Sequence, residues 1–248
     1  MNILITAGGT TEAIDQVRGI TNHSSGRLGK AIAERFLAAG NQVTYLATPT
    51  AAKPAGLEAV TIKSTLDLYE KMQYLLENET FDAVIHSMAV SDFTPVNTLN
   101  KERFIEAFSR ELADTSPESV ARALDALSEG TATASKISSN TEELIVLMKQ
   151  TPKVIRLIKM MQPETCLVGF KLLVGVSKKE LFSVARESLV KNHSDFVLAN
   201  DLDDIFGTQH LGFLLNDAGL VAEGTTKNAI AEMIYQAVKT KIEEESES

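Results

Sequence analysis

Asn22, Ser24 and Ser25, followed by Gly26 and Gly29 and preceded by Gly8, Gly9 and Arg18, put one kind of chemistry into a short stretch of chain. Hydroxyls, a carboxamide and a guanidinium can hydrogen-bond an anion. Glycines let a ligand approach the main chain, and a helix start rich in Ser and Gly leaves backbone N–H groups unpaired. The anion these residues suit best is a phosphate. The pattern differs from two familiar phosphate loops. The G-x-G-x-x-G turn and the acidic residue at the end of the second strand are both missing, because that strand, residues 42 to 47, runs into Thr48-Pro49. No Gly-Lys-Ser or Gly-Lys-Thr follows the first strand. Gly8 and Gly9 alone would read as an ordinary turn, but that reading leaves Arg18, Asn22 and the Ser-Gly run unexplained.

Three later segments carry further candidates. His86 to Phe93 brings Ala89 and the carboxylate of Asp92 to a strand end, where Asp92 can accept hydrogen bonds or cap a turn. His86 itself reads as a packed core histidine. Val168-Gly169-Phe170-Lys171 offers a close approach, a ring and a cation, although a strand Phe is usually core. Asn200-Asp201 can read a base edge or start a turn. Lys136 and Lys191 are surface lysines by default. Cys166, in the run Cys166-Leu167-Val168, reads as a buried structural thiol, and no Ser/His/Asp spacing supports a triad.

The elements that must position these groups alternate. The periodicity predicts strand 2–6, helix 26–39, strand 42–47, helix 65–77 and strand 82–87. After a change of pattern it predicts strand 143–148, helix 152–161, strand 165–170, helix 178–190 and strand 195–199. A hairpin (211–215 with 220–222) and a helix (226–241) follow. This is α/β: a Rossmann-like three-layer αβα sandwich, mostly parallel, with a C-terminal hairpin. Residues 94–141 read as an insertion of helices and a polar flap within one domain spanning 1–248. Most candidate residues then fall at the carboxyl ends of strands, where such folds bind ligands.

The 248 residues carry 33 acidic and 24 basic side chains, a net charge of -9, which argues against nucleic acid or an anionic membrane as partner. A phosphate site must therefore be local. A single cysteine excludes an internal disulfide and a cysteine-based zinc cluster. No signal peptide precedes Asn2 and no apolar run reaches the roughly 20 residues of a membrane span, so a cytoplasmic location is expected.

The blocks ITAGGTTEAIDQVRGITNHSSGRLG, MAVSDF, KISS, VGFK and VLANDL, in this order, closely resemble phosphopantothenate-cysteine ligase, in its free-standing bacterial form. The resemblance implies activation of the 4'-phosphopantothenate carboxylate by a nucleoside triphosphate with Mg2+, then amide formation with L-cysteine, without flavin. It implies that Gly8, Ser24, Gly26, Gly29, Phe170, Asn200 and Lys191 serve the nucleotide, and that Asn22, Lys136 and Lys171 act in the chemistry. Asn22, Ala89 and Asp92 would hold the phosphopantothenate, and Arg18 would reach one bound mainly by the other subunit of a homodimer. No metal ligand is singled out. Ser138 stands where many bacterial members carry a flap lysine, Met88 where alanine is common, and Phe170-Lys171 is closer to eukaryotic members. These departures bear on nucleotide choice: CTP is expected, ATP is the alternative, and Lys171 can replace charge lost from the flap. Two readings of another class are a Rossmann-like nucleotide-dependent oxidoreductase and a non-catalytic metabolite sensor.

Overall fold

Ile3, Leu4 and Ile5 are wholly buried, which requires cover on both faces of their strand, and the computed structural model places that strand inside a nine-stranded sheet. The structure describes residues 1–129 and 141–247. In chain order the elements are β1 (Asn2–Ala7), β2 (Thr11–Ala13), β3 (Gly19–Thr21), α1 (Arg27–Ala38), β4 (Gln42–Ala47), β5 (Ala59–Thr61), α2 (Thr65–Asn78), β6 (Ala83–His86), β7 (Phe93–Asn100), α3 (Lys101–Glu111) and α4 (Pro117–Glu129). After the undescribed stretch come β8 (Leu144–Gln150), α5 (Val154–Met161), β9 (Cys166–Leu173), α6 (Lys178–Asn192), β10 (Phe196–Asp201), β11 (Ile205–Phe206), β12 (Gln209–Asn216), β13 (Gly219–Thr226) and α7 (Lys227–Ser246).

Residues 1–10, 23–90 and those from 153 onward form one compact unit. Its sheet runs β11-β12-β10-β9-β6-β1-β4-β5, with β13 added to β12. All pairs from β10 through β5 are parallel, and β12 pairs antiparallel with β10, β11 and β13. Because side chains alternate along a strand, successive β1 residues enter different cores. Ile3, Ile5 and Ala7 pack with Ile32 and Phe36 of α1 and Ile230 and Ile234 of α7. Leu4 packs with Leu68 and Met72 of α2 and Leu157 and Ile158 of α5. Farther along, α6 lays Leu181, Ala185 and Leu189 on Val197, Ala199 and Phe213. The three layers are therefore α1 and α7, the sheet, and α2, α5 and α6.

At the amino edge of this sheet the Asp195 carboxylate gathers two cations and an amide. It lies 2.8 Å from Lys159 Nζ and 3.1 Å from Lys241 Nζ, and it accepts from the Leu167 N–H at 2.7 Å. One side chain thus joins α5, β9 and α7.

The second unit comprises 11–22 and the described part of 91–152. It holds the β2–β3 hairpin, the antiparallel β7–β8 pair and helices α3 and α4. Asn100 caps α3 by accepting from the Arg103 N–H, and the buried Asn97 donates to the Leu127 carbonyl at 2.7 Å. The strand expected at 143–148 exists as β8, but it pairs with β7 outside the main sheet. Its run Leu144-Ile145-Val146-Leu147-Met148 imitates a doubly covered strand, yet no residue of β8 is fully buried. The hairpin β2–β3 and the short β5 also lack a signal strong enough to read from the sequence, and β9 continues past 170 to Leu173 because β10 pairs with it as far as Asp201.

His86, in the last position of β6, is buried with its Nδ1 3.0 Å from the Thr6 hydroxyl, and burial lowers its pKa from 6.5 to about 4. The unfolded chain therefore binds this proton more readily than the folded one, so His86 leaves stability intact above pH 6.5 and erodes it as pH falls toward 4. Urea unfolding across that window should show a loss of about 3 kcal/mol from this site. His86→Gln should flatten the pH slope by about one proton equivalent, and an unchanged slope would show that another group is responsible.

Candidate functional site

Within the first unit, three main-chain segments meet at the carboxyl end of β1. Gly8 has φ +98°, and a Cβ there would fall 2.1 Å from Thr48 Oγ1 and 2.9 Å from Ala51 Cβ. Gly26 has φ +67°, and its Cβ would lie 2.8 Å from Ala51 Cβ. Both positions demand glycine on conformation and on space. Gly29, inside α1, would meet Ala7 Cβ and Ser87 Oγ at 2.8 Å each, so it lets the helix lie close on the sheet. The Ala52 N–H donates to the Ser25 carbonyl at 3.0 Å, fixing the approach to α1. From the other side, the Ala89 N–H donates to the Gly8 carbonyl at 2.9 Å and the Ala89 carbonyl accepts from the Thr10 N–H at 3.0 Å.

The start of α1 carries no side-chain cap, a trait it shares with α5, whose Lys153 does not cap either, but at α1 the cap is a glycine. Ser64, Asn100, Ser177 and Thr226 each accept a hydrogen bond from the first turn of the helix they cap, whereas Gly26 at α1 supplies no side chain and the first turn holds no acid. The leading amides, at Arg27, Leu28 and Gly29, have no intrahelical acceptor, so they suit an anion. Ser24 is half-buried just before them.

Phe170 is half-buried and packs into the core shared by α1 and α7. Asn200 is buried at the far end of β10, on the same sheet face, since Leu198 of that core pairs with Phe170. Its Nδ2 lies 3.3 Å from Nε2 of His210 on β12, also buried. Lys171 follows Phe170 by one residue and so points to the opposite face, toward the α5 and α6 side. Lys191 is exposed in the last turn of α6. That helix returns antiparallel to the strands, and its N-terminal turn sits by the carboxylate of Asp201, which accepts from the Gly175 and Val176 N–H groups. Lys191 therefore lies toward the amino edge of the sheet, and the fold does not bring it to Gly8, Gly26, Phe170 and Asn200.

In the second unit, Arg18 stands on the turn between β2 and β3 and is held by the buried Asp15. The Asp15 carboxylate accepts from the Val17 and Arg18 N–H groups at 2.8 and 2.7 Å, and from Arg18 Nε and Nη2 at 3.0 and 2.6 Å. Asn22 is half-buried, its Oδ1 accepting from the Ser91 hydroxyl at 3.4 Å. Asp92 is exposed, and its carbonyl accepts from the Thr151 N–H at 3.0 Å. Lys136 lies outside the described residues.

Asp15 and His210 were not singled out from the sequence. The spacing Asp15 to Arg18 is compatible with a turn in which the carboxylate binds the backbone two and three residues on, so that signal was available. A lone histidine in a short strand gives none. Among the described residues no three His, Cys, Asp or Glu side chains gather as a metal site. Cys166 is buried, and burial pushes its thiol up, so it is no nucleophile. No described helix is long and apolar enough to cross a membrane. What the first unit offers is fixed amide donors and the carboxamide of Asn200, and what the second unit holds, taken by itself, is an anchored guanidinium and the carboxamide of Asn22; groups of each kind suit anions.

Comparison with known proteins places the fold and the family. A crystal structure of the DNA/pantothenate metabolism flavoprotein from Streptococcus pneumoniae is 39% identical, with a TM-score of 0.82 over 97% of this chain and 99% of that one. The C-terminal domain of a coenzyme A biosynthesis bifunctional protein CoaBC, at 24% identity and a TM-score of 0.68, shares the three-layer fold over 98% of this chain and 96% of its own. The CoaBC protein of Thermococcus kodakarensis is 30% identical over 96% of this chain and 50% of its own length, so the chain spans about half of such relatives. The profile of the DNA/pantothenate metabolism flavoprotein C-terminal domain matches residues 1–115 and 120–242, and with so much of its length matched the chain belongs to that family.

Proposed function

We propose that this chain is a phosphopantothenate-cysteine ligase of coenzyme A biosynthesis, using CTP in preference to ATP. The observation that carries the reading is the α1 start: a helix opened by glycine, with neither a side-chain cap nor an acid in its first turn. It supplies main-chain donors where a triphosphate needs them. Relatives named for coenzyme A biosynthesis support the pathway, as does a structural neighbour, at 18% identity, solved in complex with phosphopantothenate-cysteine. No carboxylate stands at the end of β4 to hold a dinucleotide ribose, which disfavours the oxidoreductase reading.

In this reading the triphosphate enters as its magnesium complex, a cosubstrate. A phosphopantothenate carboxylate oxygen attacks the α-phosphorus and pyrophosphate leaves. The cysteine amine then attacks the acyl carbon, the nucleoside monophosphate leaves, and the amine gives up a proton. Both steps develop negative charge on oxygen, so preorganised donors are what the protein must provide. The amides of Arg27, Leu28 and Gly29, with Ser24, hold phosphate oxygens, and Phe170 and Asn200 meet the base. Asn22 orients the acyl group, Ala89 and Asp92 contact phosphopantothenate, and Arg18, held in place by Asp15, meets its phosphate. Lys136 supplies a cation to the phosphates, and Lys171 a secondary one. Lys191 has no part in the contacts of its own subunit. A homodimer that shares Arg18 between sites is supported by apolar side chains left exposed on the second unit, Val17 and Phe93 among them. A cytoplasmic location fits substrates of this kind.

Pyrophosphate release measured with CTP, ATP and UTP, with and without cysteine, tests the reading. Release should require phosphopantothenate, be fastest with CTP, and yield the amide only with cysteine. No release with any triphosphate would overturn the assignment. Asn22→Ala should fold and bind nucleotide but lose most amide formation and accumulate acyl-nucleotide, seen by rapid quench and mass spectrometry; normal turnover would remove Asn22 from the chemistry. Lys136→Ala should cut kcat by roughly 100-fold, the usual cost of one preorganised donor, whereas an effect on Tm alone would make it a surface residue.

A further inference from the structure

Asn200 and His210 form a pair that packing alone does not explain. Both are buried, Asn200 at 7% and His210 at 6% exposure, and they face each other at 3.3 Å from Nδ2 to Nε2. A core position on this face would be filled at no electrostatic cost by a residue like Leu198 or Leu214, two residues from Asn200 and four from His210. Instead the chain buries a carboxamide and an imidazole and leaves His210 Nδ1 without any hydrogen-bond partner. Unmatched buried polar atoms of this kind are costly and call for an explanation beyond packing. Burial, with Lys227 as the nearby cation, holds the ring neutral by lowering its pKa to about 4, and in the tautomer protonated at Nδ1 it is Nε2 that accepts from Asn200.

The carboxamide has two ends. Nδ2 is committed to the imidazole, and Oδ1 has no partner among the described residues yet is not sealed in the interior, since it is absent from the buried atoms that lack partners. Asn200 therefore shows an acceptor outward at the carboxyl rim, on the face where Phe170 is half-exposed. An outward carbonyl oxygen matches a base bearing an exocyclic amino group. A base with a carbonyl at that position would set two acceptors against each other.

We propose that His210 is a positioning residue that fixes the Asn200 carboxamide with its oxygen outward, and so selects a triphosphate whose base carries an exocyclic amine over one that carries an oxo group. The inference rests on the nucleotide-binding role given to Phe170 and Asn200 above. Without the imidazole, the carboxamide can rotate and offer either end, and selection is lost while binding persists.

The test compares CTP with UTP, a pair differing at one exocyclic position, by kcat/KM from pyrophosphate release and by equilibrium binding in calorimetry. Wild type should favour CTP by at least roughly 10-fold, the scale set by one mismatched hydrogen bond. His210→Leu, which keeps volume and removes the acceptor, should bring the CTP/UTP ratio close to one, mainly by improving UTP. His210→Gln, whose amide oxygen can take the place of Nε2, should restore the ratio. A structural role alone would lower Tm and both substrates together and leave the ratio in place; that result overturns the proposal, as does a wild type that turns over both nucleotides equally. Absence of turnover with retained CTP selectivity in binding would sink the ligase reading and leave the role of His210 standing. Absence of nucleotide binding altogether would sink both.

Discussion

Close packing of three glycines against neighbouring side chains at the carboxyl end of β1 is the constraint on which the candidate anion site of the first unit depends. Gly8 lies against Thr48 and Ala51, Gly26 against Ala51, and Gly29 against Ala7 and Ser87, so a methyl group at any of the three would collide with its neighbours. Because these contacts draw the β1–α1 crossover down on the sheet, α1 starts at the rim with its first amides facing outward. The same contacts place the Ala89 segment beside Gly8 through paired main-chain hydrogen bonds. Anion binding of this type is achieved by geometry before any charged side chain is counted.

On the proposed function, a chain with a net charge of -9 would have to bind anions locally. The potential that matters is set within a few ångströms by amide dipoles, and beyond about 8–10 Å the acidic surface is screened by salt. Cations are added singly and held. Arg18 is fixed on a hairpin turn by a buried carboxylate that also binds the turn's own amides, so its guanidinium is prepaid in conformational entropy.

The sheet, its helices and the glycine-rich crossover were legible because buried strands and amphipathic helices write themselves in apolar periodicity. Helix α2 is found at 65–78 against 65–77 read from the pattern, and α6 at 178–192 against 178–190. Partnering was not legible. The apolar run of β8 looks like a main-sheet strand, and only β7 shows otherwise; β7 itself, with Pro95 and Asn97, has little of a strand's signature. Among the candidate residues, types and spacing pointed to Gly8, Gly26 and Asn22, but side-chain direction needed coordinates. Phe170 and Lys171 are neighbours in sequence and fall on opposite faces, and Lys191 is carried to the far edge by the return path of α6. Asn200 could be named, but His210 could not, since their pairing joins β10 to β12 through space.

Asp195 shows where the molecule is anchored. Its carboxylate ties α5, α7 and the β9 backbone together at the edge of the sheet remote from the crossover. Such an arrangement separates two demands that often conflict in one fold. A charged tie among layers stands at one end, while the opposite end carries tight glycine contacts, helix donors without intrahelical acceptors and an orphaned ring nitrogen. Residues of the two ends should therefore drift under different selective pressures, one set judged by how well the protein survives and the other by what it recognises.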